Sequence, residues 1–416
     1  MRLLLCLALG LVVLTAGELK AQSFGIELHN TMMPAAGGMG GVSNAQPQDV
    51  TSALNGNPAT LTQFSGSQFQ FSTGWVDPSF KLTQTSAIPS VGPAFIEPFS
   101  ASSVAPGTPV GNLGVTQEVS VQDLPVIVGT GMITTGGGFA DFRHVPESRG
   151  TNSREFVLTV PFVAGVDMTE RLSMGARFSF GIGFYDAPFV AIEGISVAYA
   201  ARGTIGATYR MGPHTMLGAY YQSKQEFNFK RAVVTPGPNE IPFDVEVGLP
   251  TNLGWGISND RLCDGRLLLG IDVTYKLWDD TAFYEAVYDN QWAVQIGAQL
   301  SGDQCRLRAG YVWAQNPVDP NPNFSIGDLV IPNDAAAVSF TQGMVAITNQ
   351  HRISLGFGMP IGKGIDFDVM AGGMFRDEEQ FGDSTRTSLE TYWISLGVSW
   401  QFGIPSCSSG RSGGCG

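Results

Sequence analysis

The body of the chain alternates apolar and polar residues with a period of two. The clearest stretch is TYWISLGVSWQF, Thr391 to Phe402. Tyr392, Ile394, Leu396, Val398, Trp400 and Phe402 share one face, and Thr391, Ser395, Gly397, Ser399 and Gln401 share the other, with Trp393 the exception. Successive side chains of a β-strand point to opposite sides, so this stretch predicts a strand with one apolar and one polar face. RLSMGARFSFGIGF repeats the pattern, setting Leu172, Met174, Phe178 and Phe180 against Ser173, Gly175, Arg177 and Ser179. LLLGIDVTYKL, WAVQIGAQL and RLRAGYVW do the same around Leu269, Ile296 and Tyr311. Further strands are predicted near 67–76, 124–134, 154–167, 197–211, 214–229, 250–258, 350–359 and 364–376. The stretch 77–123 is less legible, and one strand within it brings the total to about fourteen.

A soluble sandwich also alternates, but the connections separate the two architectures. Joins near 168–171, 212–213, 259–265, 301–304 and 360–363 are short, whereas those near 185–196, 230–249, 278–290, 314–349 and 377–389 are long. Strict alternation of short and long is the order of an up-and-down barrel with tight turns at one rim and long loops at the other. Strands of 11 or more residues exceed the soluble mode of ~5–6 and suit a tilted membrane crossing, which needs ~9–11. The expected fold is an all-β transmembrane up-and-down antiparallel β-barrel of about 14 strands, spanning 65–402.

Met1 to Ala21 predicts a secretory signal peptide: one Arg, an apolar run from Leu3 to Ala16, then small residues. No later run is apolar and long enough for a helical span, which excludes a helical inner-membrane protein. The expected location is the cell outer membrane, with lipid and the barrel assembly machinery as partners and the monomer as the working state.

Composition narrows the function. Of 416 residues 53 are Gly, and charged residues are 14%, with a net charge of -13. So acidic a chain repels phosphate, which excludes a nucleic-acid partner. The 43% hydrophobic content is too high for disorder, and the glycine too abundant for a helical bundle. His29, His144, His214 and His351 are scattered, with no nucleophile or acid beside them in sequence, so no enzyme, metal or cofactor is expected. Cys263, Cys305, Cys407 and Cys415 contain no C-x2-C spacing. Export permits disulfides, and Cys407 and Cys415 are close enough in the Ser/Gly/Cys tail, 403–416, to bridge.

Residues 22–64 are rich in Gly, Ala and Asn and too polar for a lipid-facing strand. They carry GGMGG at Gly37 to Gly41, DVTSAL at Asp49 to Leu54, and Asn57-Pro58-Ala59 before a strand ending in Trp75-Val76-Asp77-Pro78. Later come Tyr221, Ser223 and Lys224, then LPTNLGWGIS followed by Trp278, then Arg308, Gly310, Tyr311 and Pro317. In this order the segments resemble the FadL/OmpP1/TodX family of outer-membrane transporters for hydrophobic compounds. The resemblance implies that 22–64 is a hatch inside the barrel, with Asn57, Pro58 and Ala59 as its anchor. It also implies passive, diffusion-driven uptake of long-chain fatty acids or aromatic hydrocarbons, released through a lateral opening beside a kinked strand. The chain continues fourteen residues past Phe402, where family members stop near a terminal Phe.

Several residues are candidates for the ligand path. Phe24, the first aromatic after the leader, is expected to touch the ligand from a movable N-terminal arm. Arg177, Arg210, Arg308 and Arg352 fall on polar faces and should point into the lumen. There they pair with acids such as Asp272, Asp366 and Asp368, hold the hatch, or meet a ligand carboxylate. Gly136, Gly137 and Gly138 are expected to break a strand and mark the lateral exit, since glycine inside a strand signals a bulge or bend. The rival expectation is a structural or adhesive surface barrel with a permanently plugged lumen.

Overall fold

The structure, a computed structural model, describes residues 27–88, 96–122, 124–186, 195–235, 241–320, 322, 335–345 and 350–402. Fourteen strands close into one antiparallel barrel: Ser67–Gln84, Thr108–Val121, Leu124–Asp141, Asn152–Asp167, Leu172–Asp186, Ser196–Arg210, Thr215–Gln222, Thr251–Leu262, Leu267–Leu277, Gln291–Ser301, Arg306–Ala314, His351–Gly362, Ile365–Phe381 and Thr385–Phe402. Each pairs with the next, and the first closes on the last from Ser67–Phe402 to Gln84–Thr385.

The alternation read from the sequence sets the two faces. Phe178 and Leu355 point outward, 54% and 64% exposed, while Arg177 and Ser179 between the outward residues are buried. A continuous apolar exterior of this extent suits hydrocarbon and not water. Aromatic pairs mark the outer surface, among them Tyr275–Trp292 at 4.5 Å and Trp400–Phe402 at 4.4 Å.

Two stretches differ from expectation. The strand predicted over 214–229 ends at Gln222, and Gln225–Thr235 instead pairs with Ile241–Leu249 in a separate hairpin. Its Phe227 and Phe229 are fully buried against the inner wall, over the bare backbone of Gly181 and Gly183. Period two is satisfied in both arrangements; it does not say which side of the wall the apolar face meets. Within 77–123 the first strand runs on to Gln84, Phe99–Ser102 adds a short partner to it, and Thr108–Val121 is the second barrel strand. That strand turns Pro109 and Gly111 outward, so its apolar contrast is weak.

Residues 27–64 lie inside the barrel as two short helices, Pro34–Gly38 and Val50–Asn55, and a 3-10 turn, Pro58–Gln63, nearly all buried. Asp49 caps the second helix, its Oδ1 accepting from Ser52 N at 2.7 Å. The wall meets this segment through glycine. A Cβ on Gly175 would collide with Pro58, on Gly206 with Asn57, on Gly218 with Asn44, on Gly297 with Met39 and on Gly310 with Gly40. At Gly206 the contact is the Asn57 side chain; at the other four, backbone lies against backbone, as only glycine permits. Much of the glycine excess in the composition is this inner belt.

Candidate transport site

The third barrel strand, Leu124–Asp141, pairs with the second from Val121–Leu124 to Asn112–Ile133. From Thr134 to Asp141 that edge has no ladder partner among the described residues. The first strand likewise leaves the second after Val76–Thr108 and is joined by Phe99–Ser102 only from Lys81. A gap in the ladder results. Its lower margin is held by Asn112 Oδ1, which accepts from Thr134 N at 3.1 Å. Its upper margin is held by Val104 N, which donates to Asp141 O at 2.9 Å.

The glycine run lies on this edge, but the strand itself is unbroken. Gly136, Gly137 and Gly138 pair with Val157, Phe156 and Glu155 of the fourth strand without interruption, after a register shift between Thr134 and Gly136. The break expected at these glycines is absent; the edge without a ladder partner is the other one, toward the second strand. The hatch fills part of it: Leu28 N donates to Thr135 O at 2.9 Å, and Glu27 bridges Gly136.

Behind the gap is a cavity of about 170 Å³, lined by Pro78, Phe80, Gly136 to Gly138, Phe139, Met374 and Trp393 among mostly apolar groups. Above it are two aromatic clusters, Trp278, Tyr284 and Tyr288 with the hairpin phenylalanines, and Phe80, Phe99 and Phe142 with Phe340 of the helix Ala335–Val345.

The polar groups of the lumen are concentrated around Glu27. Its carboxylate lies 2.7 Å from Arg202 Nη1, 2.6 Å from Lys276 Nζ and 3.3 Å from His29 Nε2, and accepts from Asn252 Nδ2 at 3.0 Å. Burial alone would raise the Glu27 pKa, but Lys276 and Arg202 hold it well below the usual range. Burial, then Lys276, pushes the His29 imidazole down to about 4.

The arginines singled out in the sequence divide. Arg177 Nη1 donates to Leu54 O and Gly56 O at 2.8 and 3.2 Å, so it grips the hatch. Arg308 pairs with Asp368 at 2.6 Å and donates from Nε to Gln299 Oε1, also at 2.6 Å. Arg210 is exposed at the short-turn rim. Arg352 lines the cavity, its guanidinium 5.7 Å from the Trp393 ring centre. Asp272 faces inward but pairs with no arginine among the described residues; Oδ2 accepts from Ser43 N and Asn44 N at 2.6 and 2.8 Å. Asn57 joins hatch to wall, Nδ2 donating to Asn44 O at 2.8 Å and Ala207 O at 3.0 Å, while its Oδ1 accepts from Ala59 N. Pro58 opens the 3-10 turn beside Gly175. Phe24 and the tail cysteines lie outside the described residues; Cys263 and Cys305 are free thiols. Glu27, Arg202, Lys276 and Glu155 were not among the sequence candidates. For Arg202, Lys276 and Glu155 the signal was an inward-facing charge in a strand, which Lys276 shows within LLLGIDVTYKL.

No family model matches the sequence, and no curated protein shows significant similarity to it. Solved structures do match. The chain is similar to the toluene transporter TodX of Pseudomonas putida, at 15% identity over 89% of this chain and 99% of that one, TM-score 0.64. It is similar to a FadL homologue of Pseudomonas aeruginosa, at 13% identity over 92% and 100%, TM-score 0.66. It is also similar to the toluene transporter TbuX of Ralstonia pickettii, at 17% identity over 89% and 98%, TM-score 0.60. The fold is that of the FadL/TodX channels. With that fold go the closed 14-strand barrel and the plug within it.

Proposed function

We propose that the protein is an outer-membrane channel for hydrophobic small molecules, long-chain fatty acids or aromatic hydrocarbons, which cross by diffusion. The observation that carries this reading is an apolar cavity bordering an edge of the wall that lacks its ladder partner. An apolar solute gains ~25 cal/mol per Å² of surface removed from water. It gains nothing from a wet lumen and much from a greasy cavity that gives sideways onto lipid. The neighbours' names, transporters of toluene, support the same class of cargo. In this reading the aromatic clusters at the long-loop end collect ligand. The cavity receives it, and the gap beside Gly136 to Gly138 releases it. The N-terminal arm, which Phe24 precedes in sequence, would be the gate, and Arg352, which lines the cavity, would meet a ligand carboxylate. Asn57, Pro58 and Ala59 hold the hatch still while the arm moves. A barrel with a permanently plugged lumen would not hold such a cavity.

Uptake of labelled toluene and of labelled oleate by deletion cells and by complemented cells tests the reading. Complementation should restore saturable uptake of one or both; equal uptake with and without the protein would overturn it.

A further inference from the structure

The cavity contains an acid that the transport of bare hydrocarbon does not use. Glu155 is on the inner face of the fourth strand, directly across the ladder from Gly138 at the margin of the wall gap. It is 5% exposed. Tyr284 Oη reaches Oε2 at 3.4 Å, and Oε1 receives no hydrogen bond among the described residues. A buried oxygen without a partner is destabilising, and proteins retain few of them. A ligand that supplies the partner would gain what the fold leaves unmade.

We propose that the cavity selects apolar molecules that carry a hydroxyl group, a phenol or a long-chain alcohol, with the hydroxyl on Glu155 Oε1. The inference rests on the channel reading above and names the cargo within it. A hydroxyl suits the acid in either protonation state, donating to a carboxylate or accepting from a carboxylic acid. An ammonium ligand is disfavoured, because Arg202, Lys276 and Arg352 outnumber Glu27 and Glu155 around the cavity and its floor. The Tyr284 ring and the aliphatic lining surround the acid, so the rest of the ligand should be hydrocarbon.

The probes are p-cresol and p-xylene, which differ by hydroxyl for methyl. Binding of each to the purified full chain in detergent is measured by equilibrium dialysis. A wholly apolar cavity takes p-xylene from water in preference to p-cresol. The wild type should bind p-cresol at least as tightly as p-xylene. Glu155→Leu should move the ratio of the two dissociation constants about tenfold toward p-xylene, the usual worth of one buried hydrogen bond. The wild-type comparison decides the matter even if that variant fails to fold. A wild type that keeps the apolar order, or a ratio unmoved in Glu155→Leu, overturns the proposal. Binding of neither probe overturns the channel reading as well, and is told apart by that.

Discussion

Lys276 Nζ stands 2.6 Å from Glu27 Oε2, and the main chain of the same glutamate bridges Gly136 on the open edge of the third strand. One residue thus ties the N-terminal arm both to the far wall and to the margin of the gap.

Removing that carboxylate takes from the buried Lys276 and Arg202 the counter-charge they share. Breaking a buried pair from one side is destabilising by about 3–5 kcal/mol. Glu27→Ala should lower the thermal midpoint of the purified barrel and raise its single-channel conductance. Wild-type values for both would remove the latch.

The arm should also respond to acid through His29. Its pKa is depressed, from 6.5 unfolded to about 4 in place. The folded state therefore binds fewer protons than the unfolded one in that interval. The contribution of the neutral imidazole is fully present above pH 6.5 and is lost as pH falls through about 4. Conductance should rise over this window, and His29→Gln should flatten the rise. A profile identical in the variant would assign the acid response elsewhere.

The anchor can be tested from the wall side. Gly206 faces Asn57 with no room for a Cβ, while Gly203 on the same strand has nothing within 4 Å. Overpacking typically costs about 1–3 kcal/mol. Gly206→Ala should destabilise by that amount and raise conductance; Gly203→Ala should do neither. Equal behaviour of the two would mean that the hatch does not bear on the wall at Asn57.

For the lateral route the informative change is Gly137→Trp. A Cβ there is 3.2 Å from Glu155 O and 3.7 Å from the rings of Phe139 and Phe156, so a large ring crowds the glycine edge that borders the gap. Uptake of labelled toluene should fall several-fold while the amount of folded barrel is unchanged. Undiminished uptake would send the ligand by another path.

The barrel was legible because its signal is repeated and physical. Each crossing must turn one face to lipid, and Phe178 or Leu355 cannot be placed otherwise. The second strand was obscure because Pro109 and Gly111 occupy outward positions and blur the alternation. The inner hairpin was misread because Phe227 and Phe229 obey the same period with the apolar face turned inward. The site was harder. Glu27 meets Lys276 across 249 residues, and no local spacing encodes such a meeting. The glycine run was expected to break its strand and does not; the ladder is missing on the opposite edge, which the sequence gives no means of choosing.

The glycine belt has a mechanical consequence. Because hatch and wall touch backbone to backbone along many strands, the two share contacts as a domain shares its core, and they should melt in a single cooperative transition. Wholesale withdrawal of the hatch would then draw on the stability of the entire cylinder. What is left for a passing ligand to displace is short: the stretch at Glu27 and Leu28, held at the gap by one bridge and one main-chain bond and at the far wall by the Glu27 ion pairs, and the edge from Thr134 to Asp141 beside it. In the proposed channel, traffic would thereby be confined to a hinge a few residues long, set in a body that does not yield.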